Sequence, residues 1–514
     1  MLQVTVSLPS GRSESLSIPL SFKVGDLRVP VQKSLQQGFL TLVTAGGYAL
    51  TDPTESVQGA IEEGDNLTAI AREAKAAATD RAFALWCSGG DRIITWGHPH
   101  YGGDSSEIQA QLRSVQHVQA SGSAFAAILE DETIVTWGNA HSGGDSSEVQ
   151  NQLRSVQQIQ AARGAFAAII ADGSVVTWGD PLGGGDSSQV QNRLRNVRQI
   201  QAADRVFAAI REDGSVVTWG EQKSGGDSSE VQSQLKGVRQ IQATSYACAA
   251  IVADGSVVTW GLPHFGGDCS QVQDQLTRVR QLVATSYAFA AILEDESIVT
   301  WGHPHSGGDS SEVQHQLSGV QQVQAADRAF AAILADGSVV TWGNQHSGGD
   351  SSEVQDQLRS VKQILATKCA FAAVLGDGSV VTWGNPEYGG DSSKVQDQLK
   401  HVRQVLAASY AFAAILADGS LVTWGNARFG GNSLRVQDQL AMLWQSVHDV
   451  SPVFAWWYLF DFVWSCLLLG KAGTTVDVRV VVFGFDVVFL PAEYAWSILI
   501  EQAKVEVTTH VNKV

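Results

Sequence analysis

A Trp-Gly pair recurs at Trp96, Trp137, Trp178, Trp219, Trp260, Trp301, Trp342, Trp383 and Trp424, each 41 residues after the one before. No insertion breaks that spacing. A fixed period between about 20 and 50 residues is the mark of a solenoid, a propeller or an array. Units of this size cannot bury their own apolar faces, so each depends on the copies beside it.

One copy shows how the unit is built. Val156-Gln157-Gln158-Ile159-Gln160-Ala161 alternates apolar and polar residues, as a half-buried strand does. Ala165-Phe166-Ala167-Ala168-Ile169-Ile170 is apolar throughout and suits a strand covered on both faces. Asp172-Gly173 predicts a tight type I′ hairpin, because glycine accepts a positive φ. Ser174-Val175-Val176-Thr177-Trp178 is the return strand. In the preceding copy, Gly143-Gly144-Asp145 opens a segment in which Asp145 and Glu148 have the spacing of a capping box. Val149, Leu153 and Val156 would then line one face of a short helix. The expectation is mainly β: a propeller-like array of nine repeats over residues 74–440, each of three strands and a short helix.

Bulk properties narrow the function. A formal net charge of −18 repels phosphate backbones, which disfavours nucleic acid as a partner. The cysteines Cys87, Cys248, Cys269, Cys369 and Cys466 are odd in number and irregularly spaced, which argues for a reducing compartment. Met1 to Val6 carries no basic stretch before an apolar one, so no secretory leader is predicted, and cytoplasm or nucleus is expected.

Catalysis needs a constellation that occurs once, and this chain offers mainly groups that recur. Asp104, Asp145, Asp186, Asp227, Asp268, Asp309, Asp350 and Asp391 share one position, with Asn432 in the ninth copy; a capping role fits both residue types. His100, His141, His264, His305 and His346 share another, where the remaining copies carry Leu182, Lys223, Glu387 and Arg428. Adjacent packed sheets lie about 10 Å apart, too far for a shared zinc with ligands near 2 Å. Cys248 stands where the other copies have a core Phe and is expected to be inert; Lys368 is placed to lower the pKa of Cys369. No cofactor, metal or catalytic residue is expected.

The positions that vary on the constant frame are the candidate binding residues. They are Tyr101, Phe265 and Tyr388 in the loop after Trp-Gly, and Arg205, Tyr246, Tyr287, Arg328 and Tyr410 between the first two strands. Tyr and Arg dominate interface hot spots, and loops on rigid frames carry function.

The small-residue strand, Asp-Gly turn and strand ending Trp-Gly resemble the repeats of the regulator of chromosome condensation family. The 41-residue length is similar to its beta-lactamase inhibitor protein II branch, whose blades have three strands. The resemblance implies a β-propeller. Rings of that family usually close with seven blades, so nine copies leave three arrangements open: a ring of nine, seven with two left over, or an open spiral.

Residues 1–73 lie outside the period. Leu2 to Val6 and Glu14 to Ile18 read as a hairpin, and Val24 to Leu35 as a helix that Pro30 should kink or delay. Leu40 to Val43 and Leu67 to Ile70 are further strands. This order resembles ubiquitin, a small α+β β-grasp domain, and Leu8, Val43 and Ile70 fall at its apolar recognition patch. The chain runs on into the array, so the resemblance implies docking to ubiquitin-system receptors rather than conjugation.

After Leu440 the period stops. Residues 453–469 are apolar except for Asp461 and Ser465, shorter than the about 20 residues of a membrane helix. This tail (441–514) would dock on the array, touch a membrane through residues 453–469, or mark a lost reading frame. The sequence thus predicts a non-enzymatic scaffold that binds a protein ligand. Two alternatives come from the resemblance: a relative of HECT-type ubiquitin ligases without the catalytic domain, and nucleotide exchange on a small GTPase.

Overall fold

In a computed structural model of the chain, the structure describes residues 1–35, 40–50, 55–71, 74–87, 93–417, 420–436, 478–482, 485–488 and 505–509. The chain divides into two units, Met1–Ser446 and Val447–Val514. The apolar run 453–469 lies outside the described residues. The second unit contains an antiparallel sheet in which Val478–Val482 pairs with Phe485–Val488 and with Val505–Thr509.

The N-terminal elements follow the order read from sequence: β1 (Leu2–Ser7), β2 (Ser13–Ile18), α1 (Val24–Leu35), β3 (Leu40–Val43), β4 (Ala49–Leu50), α2 (Val57–Ala60) and β5 (Asn66–Ala71). The sheet order is β2-β1-β5-β3-β4, with β1 and β5 parallel. Val24, Leu27, Val31 and Leu35 of α1 pack on Val4, Val6, Leu42, Leu67 and Ala69. Pro30 sits inside α1, which starts at Val24 and is not delayed.

From Ala74 to Gly425 the described residues form nine three-stranded antiparallel blades. Blade 1 is Ala74–Ala78, Ala82–Cys87 and Ile93–Gly97; blade 9 is Val402–Ala407, Ala411–Leu416 and Leu421–Gly425. The first strand of each blade touches that of the next around the whole circuit, and blade 9 touches blade 1. The array is a closed ring. It is a nine-bladed β-propeller.

Two interactions between blades explain the closure. In eight of the nine blades a Phe of the middle strand is buried against the preceding blade: Phe166 packs with Ala124, Ala126 and Ile128, and stacks on its own Trp178 at 5.2 Å. Each Trp indole N–H donates to a glycine carbonyl of the blade before, as Trp178 does to Gly143 O at 3.0 Å. Gly143 has φ +89°, and a Cβ there would stand 2.4 Å from the ring of Phe166, so only glycine fits. Blade 1 repeats both on blade 9: Phe83 clusters with Ala411, Ala413 and Ile415, and Trp96 Nε1 donates to Gly430 O at 3.2 Å.

Two local expectations are corrected. The Asp-Gly hairpin is not type I′. Ala171, Asp172 and Gly173 form a three-residue loop in which only Gly173 has positive φ, and Gly173 N–H bonds Ile170 O at 2.9 Å. This is a type I turn followed by a left-handed glycine, the next commonest hairpin solution. The short helix is at most a single 3₁₀ turn, as at Gln191–Arg193. So short a segment does not repay the cost of nucleating an α-helix. Asp145 caps a tighter turn than expected: its Oδ1 accepts from Ser147 N at 2.9 Å, two residues on. Gln150, read as one residue of a helix, bridges Ser146 Oγ and the carbonyl of Ile134 in the outer strand.

Candidate functional site

The turn between the first and middle strands and the loop after Trp-Gly meet on one face of the ring. The loop is tied to the turn by its backbone, as His98 N–H to Arg81 O at 2.8 Å and His303 N–H to Tyr287 O at 2.9 Å. The turns surround an axial cavity of about 700 Å³. A chain of backbone hydrogen bonds links them from Asp80 through Gly122 and Arg163 to Asp204, and from Ser245 through Ser286, Asp327 and Lys368 to Ser409. Ser409 Oγ then donates to Asp80 Oδ1 at 2.6 Å across the seam.

The eight loop candidates fall on this face, and seven of them gather in two clusters. In the first, Phe265 lies 4.8 Å from Tyr246 and 5.6 Å from Tyr287, and Arg328 sits 4.9 Å over the Tyr287 ring. In the second, Tyr388 stacks on Tyr410 at 4.8 Å, and Tyr101 faces the guanidinium of Arg81 at 4.7 Å. Arg205 belongs to neither; its nearest carboxylate is Glu221 at 4.0 Å, and both are exposed.

Positioning is built in from beneath. Thr79, Thr244 and Thr367 are buried and donate to the carbonyls of Tyr101, Phe265 and Tyr388, at 3.0, 3.2 and 2.9 Å. These bonds fix the backbone of three of the aromatic loop residues.

Sequence reasoning missed four members. Arg81 lies 4.5 Å from the Phe429 ring as well as over Tyr101. Phe429 packs on Tyr410 at 5.0 Å, and His303 stacks near Phe265 at 6.2 Å. Lys368 pairs with Asp80 at 3.1 Å, reaching past blade 9. Arg81 and Phe429 occupy the same repeat positions as Tyr410 and Tyr101, so aligning all nine copies would have exposed them. The Lys368–Asp80 contact needs the closed ring.

The electrostatics correct one expectation. Lys368 does oppose it, but burial dominates and pushes the Cys369 thiol up. Cys248 is fully buried and its thiol is pushed up to about 12, consistent with an inert core residue. The Arg328 guanidinium is pushed up chiefly by its hydrogen bond with Tyr287, and also by Asp327.

On the N-terminal domain the proposed patch does not assemble. Val43, half-buried, and Ile70, exposed, share the outer face of the sheet, whereas Leu8 lies in the core. The bond from Leu8 N–H to Arg12 O tightens the β1–β2 turn and keeps Leu8 with Val6 and Ile18. Among the described residues no helix is long and apolar enough to cross a membrane.

No family model and no curated protein sequence matches the chain. Solved structures similar to it include Prp20p from Saccharomyces cerevisiae, with 14% identity over 62% of this chain and 82% of that one, at a TM-score of 0.36. The CRINKLY WD40 ectodomain of the Arabidopsis thaliana receptor kinase ACR4 is 16% identical over 53% of this chain and 97% of its own, at 0.29. A ubiquitin-like domain from Arabidopsis thaliana is 17% identical over 14% of this chain and 76% of its own, at 0.12. The propeller assignment therefore stands on the chain's own strand pairing and ring closure.

Proposed function

We propose that the chain is a non-catalytic interaction scaffold whose cavity-bearing face holds a protein ligand. The observation that carries this reading is the placement of divergence. Core, turn and Trp-Gly positions are held nearly constant through nine copies, while aromatic and cationic residues differ from blade to blade and cluster on one face. Half-buried Tyr and Phe rings that already stack on one another lose little conformational freedom on binding, which is the character of an interface anchor. The N-terminal domain is a separate docking module for ubiquitin-system partners in this reading, using Val43 and Ile70 rather than Leu8.

The test uses the full chain beside a Tyr287→Ala/Tyr410→Ala variant with unchanged circular dichroism. A protein partner captured by the wild type should be lost, at least tenfold, from the double variant. Equal retention by both sinks the assignment of this face.

A further inference from the structure

The two clusters share five positions displaced by three blades, although Tyr246 of the first has Cys369 as its counterpart, and Tyr101 and Phe429 of the second have Ser347 and Ser306. Phe265, Ser286, Tyr287, Asp327 and Arg328 in blades 5, 6 and 7 correspond position by position to Tyr388, Ser409, Tyr410, Asp80 and Arg81 in blades 8, 9 and 1. The geometry repeats as well. Ser286 Oγ donates to Asp327 Oδ1 at 2.6 Å, and Ser409 Oγ to Asp80 Oδ1 at 2.6 Å. Arg328 lies over Tyr287 at 4.9 Å, and Arg81 lies 5.9 Å from Tyr410. A further three-blade step reaches Asp204 and Arg205, but Ser142, Arg163 and Gly164 stand where the aromatic, Ser and Tyr would be. Two sets carry all five positions and the third has no ring.

The chemistry of each copy selects a ligand. Arg81 has no carboxylate within ion-pair distance among the described residues, because Asp80 is taken by Lys368 and Ser409. Arg328 uses Nε for Asp327, which leaves terminal N–H groups of a half-exposed guanidinium. At the two turn positions around the ring, five cations (Arg81, Arg163, Arg205, Arg328, Lys368) stand against three carboxylates (Asp80, Asp204, Asp327), on a chain of net charge −18. The loops after Trp-Gly add Lys223 and Arg428 against Asp180, Glu221 and Glu387, so these turns and loops together carry +1.

We infer that this face carries two equivalent peptide sites three blades apart, each taking an aromatic side chain beside a carboxylate. This deepens the proposed function and rests on it. The ring would thus bind two copies of one acidic-aromatic motif.

A phage-displayed library of random 12-residue peptides, selected on the full chain and followed by calorimetry of an enriched peptide, tests it. Enriched sequences should place Tyr, Phe or Trp next to Asp or Glu and bind at two per chain. Arg81→Ala or Arg328→Ala alone should reduce that to one, and both together should weaken binding at least tenfold, while Arg154→Ala, exposed ahead of the first strand of blade 3 and away from this face, leaves it at two. Tyr410→Ala and Tyr287→Ala serve as the second pair should an Arg variant lose its fold. One site abolished by either single variant overturns the two-site inference and leaves the scaffold reading standing. Absence of any enrichment overturns both. Enrichment of basic peptides, or displacement of peptide by nucleotides, overturns the ligand chemistry.

Discussion

Trp96 donates its indole N–H to the carbonyl of Gly430, 334 residues later, and so makes at the seam the bond that Trp137 makes to Gly102 only 35 residues back. The first and last blades are therefore held like any adjacent pair. Trp96→Phe and Trp178→Phe should each cost about 1–3 kcal/mol, because a buried glycine carbonyl loses its donor while the stack on Phe83 or Phe166 is kept in kind. Urea unfolding of the two variants should give equal losses; a loss for Trp96→Phe smaller by more than about 1 kcal/mol would place the seam open.

Cys248 occupies the position at which Phe207 and Phe289 stack on Trp219 and Trp301, at 5.2 and 5.1 Å. Cys248→Phe should restore the missing stack with Trp260 and stabilise the chain by about 0.5–1.5 kcal/mol. Thermal unfolding measures it. The native thiol, with its pKa at about 12, should stay unmodified by thiol reagents at neutral pH until the ring unfolds.

In blade 2 the hairpin glycine is replaced by Glu132, which holds φ +61°. A left-handed residue with a Cβ costs about 1–2 kcal/mol, partly offset by the extra chain entropy glycine loses on folding. Glu132→Gly should raise stability by about 0.5–1 kcal/mol, read as a higher melting temperature. A lower one would contradict the turn geometry.

The repeated aspartates set the acid limit. Asp145, Asp186 and their counterparts are held below the ordinary carboxylate range chiefly by the backbone N–H two residues on. At Asp172 and Asp213 the hydroxyl of the Ser two residues on is the larger cause. A depressed folded-state pKa means that the unfolded chain binds protons first. The contribution is present above the unfolded pKa, near 4, and is lost as pH falls through the folded values. The urea midpoint should therefore be flat from pH 7 to about 5 and fall steeply below about 4.

The repeat, its three strands, the buried Phe and the helix at Val24 were legible because each follows from local periodicity and turn chemistry. The blade count of the ring was not, since closure depends on Phe83, Trp96 and Gly430 meeting across the whole array. The helix expected after Asp145 failed for a local reason: Ser146 and Gln150 are drawn to strand groups, Thr136 and the Ile134 carbonyl, instead of each other's turn alone. The binding face was legible residue by residue, but not as two clusters, because its members lie in different blades and one cluster exists only across the seam.

Spin labels at equivalent exposed positions measure the closure directly. With Cys369 and Cys466 replaced by Ser, the distance between residues 107 and 435 (blades 1 and 9) is compared with that between 107 and 148 (blades 1 and 2). A ring of nine gives two matching distributions. A 107–435 distance markedly longer than 107–148 would contradict the closed propeller and the shared site built across its seam.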